Sequence, residues 1–337
     1  MLTAYHLQFR TGVHLGRPGR SLDPQNVDLE TSETWIPADT LFSAICQTWA
    51  QFYGSQDLRR FLDRFQQGSP PLLLTSAFPF VGQQRLFPKP EKLNWSQIQL
   101  EERHLKRLKQ VRFLSPARFQ QMIDNHPIEF KPEEDLINRG QVWVDGQTES
   151  WTKGQVIWQT QTRPRVTIDR LSSASAIWHA SIVEFDSQAG LWFACQFADS
   201  EVEKQVETVL NVLGDTGLGG ERAYGHGLFE LEKRDFVLTS DQSSQQFMTL
   251  SPVRPRDHQQ LSVLTSGEVG YQLSQRSGWI SGSRNRRRNW IWMFSEGAVL
   301  NRCGEETMGS LVDLQPADYP HPVWRYGYAW PVGVASS

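Results

Sequence analysis

Gly217-Leu218-Gly219-Gly220-Glu221-Arg222-Ala223-Tyr224-Gly225-His226-Gly227 places five glycines in eleven residues, with Arg222, Tyr224 and His226 between them. Glycine has no side chain to block a close approach and tolerates φ > 0. A loop built this way wraps its N–H groups around something while its side chains stack or bond. Upstream, Val202, Val206, Val209, Leu210 and Leu213 recur at helical spacing; downstream, Leu228-Phe229-Glu230-Leu231-Glu232 alternates like a strand. The order helix, glycine loop, strand excludes the usual nucleotide motifs, which run strand, loop, helix. Gly217-x-Gly219 also has Arg222 where a third glycine would fall, and no G-x-x-x-x-G-K-[ST] occurs. A flexible connector is the alternative, but it has no need to alternate glycine with Arg, Tyr and His. The expectation is a ligand-cradling loop, with Gly217, Gly219, Gly220, Arg222, Tyr224, Gly225, His226 and Gly227 as its binding residues.

The 337 residues suffice for two domains with real cores, and 39% hydrophobic with 21% charged residues marks a globular chain. No apolar run approaches a membrane span. The N-terminus opens directly into an alternating strand, so no signal peptide is expected. Cys46, Cys195 and Cys303 are odd in number and far apart, giving neither a disulfide framework nor zinc spacing, which fits a reducing cytoplasm. The net charge of -3 does not favour nucleic acid, but its distribution does. Arg103, Lys106, Arg107, Lys109, Arg112 and Arg118 form one acid-free run; Arg276, Arg284, Arg286, Arg287 and Arg288 form another. Local basic patches on a near-neutral chain suit a polyanion bound at defined places, the alternative being solvated faces. The 13 tryptophans offer stacking surfaces for bases, although most are expected in the core or at subunit interfaces.

Along the chain, Leu2 to Arg10 reads as a strand and is followed by a Gly/Pro-rich loop from Gly12 to Gly19 carrying His14, Arg17 and Arg20. Pro37-Ala38-Asp39-Thr40 opens a helix, capped by Asp39 or Thr40, with Leu41, Ile45, Trp49 and Phe52 as its stripe and Gly54 as its stop. A second helix spans about Gln56 to Gln67, and an apolar strand Leu72 to Val81. A polar insertion at about 82–160 follows, with a basic helix near Ser96 to Gln110 and a hairpin around Val142 to Ile157. Strands resume at Arg163 to Leu171, Ile177 to Phe185 and Leu191 to Phe197, before the helix Ser200 to Leu213 and the strand Leu228 to Phe236. Stripped of insertions the order is β-α-β-β-α-β, the ferredoxin-like pattern. The fold class is α+β, with an N-terminal domain over 1–238 and a strand-rich C-terminal domain over 247–337. There the Ser283 to Arg288 segment reads as a hairpin tip.

These pieces resemble the fourth subunits of the Csm effector complex, RAMP proteins of the Cas-five group in type III-A CRISPR systems. The resemblance rests on Phe9-Arg10-Thr11-Gly12-Val13-His14-Leu15-Gly16, Ile36-Pro37-Ala38-Asp39-Thr40-Leu41-Phe42-Ser43-Ala44-Ile45, Ser76-Ala77-Phe78-Pro79-Phe80, Leu86-Phe87-Pro88-Lys89-Pro90 and Leu105 to Leu114. Arg165-Val166-Thr167-Ile168-Asp169-Arg170, the glycine loop, Tyr271 to Ile280 and Val323-Trp324-Arg325-Tyr326-Gly327 complete it. Singly, only the Ala38 to Ala44 piece and the glycine loop are specific; the order of all of them carries the weight.

The resemblance implies two ferredoxin-like (RRM-like) domains and binding of the 5′ repeat-derived handle of a crRNA. It implies a place against the large polymerase/nuclease subunit and the first backbone RAMP subunit, with target RNA met only indirectly and no membrane. The insertion would be a thumb at the handle–spacer junction. The same resemblance sets the Asp39 helix start near the glycine loop, where helix N–H groups favour phosphate. His14, Arg17, Thr40 and Ser43 are then handle contacts, with plain capping the alternative for Thr40 and Ser43 and an ordinary loop histidine the alternative for His14. Arg163, Arg165 and Arg170 would track the RNA backbone, unless Asp169 holds one of them in a salt bridge. Arg284, Arg286, Arg287 and Arg288 would bind RNA or an acidic face of a neighbour.

Catalysis is the rival reading. Related RAMP proteins include metal-independent endoribonucleases with a histidine as general acid or base, which makes His14 and His226 the candidates and Tyr224 a helper. No metal-ligand spacing and no H-D or G-G-D-D motif occurs. DNA cleavage and cyclic-oligonucleotide synthesis would belong, by resemblance, to the large partner. The expectation is a non-enzyme without cofactor or metal. A purely structural subunit and the equivalent subunit of a type III-B complex stay open.

Overall fold

The computed structural model describes residues 2–16, 31–149, 151–152, 154–168, 175–280, 286–305 and 307–335. Alternation of apolar and polar residues gives β1 (Leu2–Phe9). α1 (Ala38–Phe52) follows, burying Leu41, Phe42, Ile45 and Trp49 on one face, and then α2 (Ser55–Gln66). Neither Asp39 nor Thr40 caps α1: Pro37 holds the cap position without a side-chain bond, and Ser76 Oγ accepts the Ala38 N–H at 2.8 Å. Asp39 lies inside the first turn and is committed elsewhere.

The expected strand from Leu72 to Val81 is two short ones, β2 (Leu72–Leu74) and β3 (Phe78–Val81). The break has local causes. Thr75 Oγ1 accepts the Ala194 N–H, Ser76 Oγ serves α1, and Ala77 pairs with Ile36.

The insertion differs from the sequence reading. The basic helix shrinks to Leu105–Gln110, because Ile98–Gln99 is a strand paired with Ile128–Glu129. Among the described residues the hairpin expected at Val142 to Ile157 does not form. Val142–Trp143 instead lies between Phe113–Leu114 and Leu136–Ile137 in a small sheet. The long hairpin comes next in the chain: β4 (Trp158–Ile168) and β5 (Ser175–Phe185) pair residue for residue from Trp158 opposite Phe185 to Ile168 opposite Ser175.

β6 (Ala189–Phe197), α3 (Ser200–Thr216) and β7 (Phe229–Asp235) complete the first unit, with Asp199 capping α3 through the Val202 N–H at 2.9 Å. The sheet runs β7, β1, β6, then β2 and β3, all antiparallel. Counted as strand–helix–strand–strand–helix–strand, this is the order fourth, first, third, second, with α1 and α3 packed side by side.

The C-terminal strands do not merge into one sheet. β8 (Gln246–Thr249) precedes α4 (His258–Leu264) and the ribbon of β9 (Leu273–Arg276) and β10 (Ile291–Phe294). β11 (Val299–Asn301) pairs with β8, β12 (Gly309–Asp313) with β13 (Trp324–Tyr328), and β14 (Pro331–Val334) with the free side of β8. β13 lies against α1, where the Tyr326 and Phe42 rings sit 5.3 Å apart. The main hydrophobic core therefore takes in Met248, Leu250, Tyr326 and Trp330 beside Phe42, Trp49 and Leu210, while Phe247, Val253, Leu264 and Phe294 form a smaller satellite.

Candidate nucleic-acid interface

The glycine loop is sewn to the segment after β1. The Leu218 N–H donates to Gly227 O at 2.9 Å, closing the loop on itself. The Gly220 N–H donates to His14 O at 2.9 Å and the Gly227 N–H to Gly12 O at 3.0 Å. On its other side this segment exchanges two bonds with β5, Val13 N–H to Val183 O at 2.9 Å and back at 2.8 Å. The loop is thus one edge of a short three-layer seam: β5, residues 12–14, and 218–220.

The seam explains two glycines. At Gly219, φ is +92° and a Cβ would stand 2.4 Å from His14 O; at Gly220 it would stand 2.7 Å from the His14 ring. Both glycines admit the protein's own His14.

The two histidines are structural here. His14 is 3% exposed and its Nδ1–H donates to Ser181 O at 2.7 Å. His226 is half-buried and its Nδ1–H donates to Gly12 O at 3.1 Å. Each bond to a carbonyl fixes Nδ1 as the protonated nitrogen.

The loop shows Gly219, Arg222, Ala223, Tyr224 and Gly225 to solvent, with Tyr224 63% exposed. The Arg165 guanidinium from β4 lies 4.6 Å from the centre of the Tyr224 ring, a cation–π contact, and 3.8 Å from Glu221. Arg165 Nε is buried without a hydrogen-bond partner. Glu221 was missed in the sequence reading; its only signal was its place inside the glycine run. Arg163 is paired with Glu184 at 2.7 Å. The structure therefore brings Arg165, His14, Arg222, Tyr224 and His226 into one neighbourhood, with a stacked cation and aromatic ring on its open side.

Thr40 and Ser43 belong to a second place. Their hydroxyls accept from Arg276 at 3.1 Å and Arg288 at 3.0 Å. Asp39, between them and the C-terminal strands, is fully buried and takes two bonds from Arg276, at 3.0 and 2.5 Å, and one from Arg325. Burial opposes its charge, but Arg276 and Arg325 more than offset this and hold its carboxyl below the usual range. Burial in turn lowers Arg325 to about 10. Arg286 is exposed, and Arg287 covers the Trp279 ring at 4.6 Å. Arg17, Arg170, Asp169 and Arg284 lie outside the described residues.

The first basic run is not a free patch. Arg103 pairs with Glu101, Arg107 with Glu133, Arg112 with Glu33, and Arg118 with Asp135 and Asp145. Lys106 and Lys109 remain exposed. Among the described residues no three His, Cys, Asp or Glu side chains come together as metal ligands, and no helix is long and apolar enough to cross a membrane.

The family model of the CRISPR Csm4 C-terminal domain matches residues 242–334. A Thermococcus onnurineus protein, "CRISPR system Cms protein Csm4", is 27% identical over 305 residues, 88% of this chain and 91% of that one. A Mycobacterium tuberculosis protein of the same name is 27% identical over 322 residues, 91% and 92% of the two chains. Along nearly its whole length the chain is similar to proteins named Csm4. Solved structures share the fold. A chain of the Csm3–Csm4 subcomplex of a type III-A CRISPR-Cas interference complex superposes with a TM-score of 0.66 at 17% identity, covering 99% of this chain and 100% of its own. A chain of a Csm1–Csm4 cassette in complex with pppApA gives 0.60 at 20% identity, covering 99% and 98%. The seam and the Asp39 junction thus sit on a fold shared with chains of these assemblies.

Proposed function

We propose that this protein is the subunit of a type III CRISPR effector complex that holds the 5′ repeat handle of the crRNA and docks the large polymerase/nuclease subunit and a backbone RAMP subunit, working in the cytoplasm without catalysing a reaction itself. One observation carries the reading: the sewn glycine loop presents Tyr224 and Arg165 as a stacked aromatic–cation pair beside exposed Arg222. Such a surface suits unpaired bases and the phosphates between them. Relatives named Csm4, and the solved Csm1–Csm4 and Csm3–Csm4 assemblies, support the two protein partners.

Two ferredoxin-like domains, 1–238 and 247–337, are the architecture proposed with it. The strand order of the first unit supports it, as does the order β14, β8, β11 in the second, which again sets the first strand beside the last. The engaged Nδ1 atoms of His14 and His226 favour holding over cutting.

The test is binding of the full chain to end-labelled single-stranded repeat RNA. Arg165→Ala and Tyr224→Ala are each expected to weaken binding roughly tenfold, as loss of one stacked base does. The RNA is expected to stay intact with and without divalent metal. Cleavage abolished by His226→Ala or His14→Ala would replace the reading with an endoribonuclease.

A further inference from the structure

The ribbon of β9 and β10 has a face that the glycine-loop reading does not use. Alternation along the ribbon turns Arg276 and Met293 inward, where they are 4% and 1% exposed. Leu273, Trp292 and, one residue before β10, Trp290 remain 51%, 47% and 60% exposed. Trp279, 44% exposed, lies across from Arg287 at the end of the ribbon and carries its guanidinium 4.6 Å from the ring. The ribbon is fastened from behind: Arg276 bonds Asp39, and Arg288 bonds Ser43. Its outer face is therefore held rigid and open.

Two properties identify what fits there. The first is charge. From Val269 to Ser295 the sequence has no acid, and with Arg276 and Arg288 engaged behind the ribbon, exposed Arg286 and half-buried Arg287 are left to complement a polyanion. The second is ring surface. Trp290 and Trp292 stand two residues apart and both are exposed, flat rings of the kind on which unpaired bases stack. A purely apolar protein contact does not need a cation laid on an indole, whereas single-stranded nucleic acid uses both the ring and the charge.

We propose that Trp279, Arg287, Trp290 and Trp292 form a second stacking platform for unpaired nucleotides of the guide RNA, separate from the glycine loop. The inference rests on the RNA-binding reading above and adds a site to it.

The experiment measures binding of the full chain to a fluorescent oligoadenylate of about ten nucleotides, within the span of one such platform. An abasic ribose-phosphate oligomer of equal length serves as the charge control. The unmodified protein is expected to prefer oligoadenylate and to lose tryptophan fluorescence on binding it. The Trp290→Ala, Trp292→Ala double variant is expected to bind oligoadenylate roughly tenfold or more weakly, with abasic binding and salt dependence unchanged. Trp290→Phe with Trp292→Phe is expected to restore most of the affinity. Both replaced side chains are exposed, and a parental melting temperature verifies that the variants fold. If the unmodified protein binds neither oligomer, the RNA-binding reading itself fails. If it prefers oligoadenylate and the double variant does so equally, the platform is refuted while the glycine-loop reading stands. Parental oligoadenylate binding by a double variant that no longer joins the large subunit would make this face a protein dock instead.

Discussion

At the scale of single residues, the structure separates groups that hold the fold from groups left to act. His6 is a holding group. It is 3% exposed, stacks on Phe80 at 4.3 Å, and its Nε2 accepts from Arg85 Nε at 3.0 Å. Burial, reinforced by the Arg85 charge, pushes its pKa down to about 4. A group with a depressed folded pKa contributes stability that is present above its unfolded value, about 6.5, and is lost as pH falls toward 4. Urea titrations across that window should therefore show stability falling with a slope approaching one proton. His6→Gln, which keeps an acceptor for Arg85 but cannot titrate, should flatten it. An unchanged slope would assign the protons to other groups.

At the scale of elements, the glycine loop behaves as a clamp on the chain after β1. Gly219→Ala puts a Cβ against His14 O in a left-handed conformation, so it should lower stability by about 1–3 kcal/mol. Thermal melting and faster proteolysis near residue 220 would register it; a parental melting curve would show that the seam yields. Glycine substitutions consequently disturb fold and binding together, and Tyr224 and Arg165 are the cleaner probes. The loop and its flanking helix and strand were legible in the sequence because their signals are local: periodicity, then glycine, then alternation. Long-range pairing was not. The acid-free run at Arg103 to Arg118 looked free, but Glu33 and Glu133 reach it from distant segments. Asp39 carried the signature of a helix cap, and nothing nearby in sequence announced Arg276 and Arg325. The hairpin was misplaced because the short apolar Val142–Trp143 offers the same alternation as a true ribbon strand.

At the scale of the whole molecule, the Asp39 junction couples the two units. Removing one partner of a buried ion pair leaves the others uncompensated, at a cost of about 3–5 kcal/mol. Asp39→Asn should therefore lower the denaturant midpoint by far more than a surface substitution and loosen β9, whose inward Arg276 loses its counter-ion. Hydrogen exchange that rises in both units would register this coupling. Exchange confined to the first turn of α1 would show that the C-terminal strands stand alone. The direction with pH follows from the depressed carboxyl: the junction's contribution holds above the ordinary carboxylate range and vanishes as acid protonates Asp39.

The seam also sets an order of events during synthesis. The backbone of Gly12 waits for His226, 214 residues further along. At ordinary translation speeds that is roughly 10–40 s. Until β6 is made, at residues 189–197, β1 has neither of its neighbours, β6 nor β7, and emerges from the ribosome with two bare edges. Such edges are templates for wrong pairing. The nascent first half of this protein is thus the stage most in need of a chaperone, and truncated products ending before the glycine loop should accumulate as aggregates rather than as folded fragments.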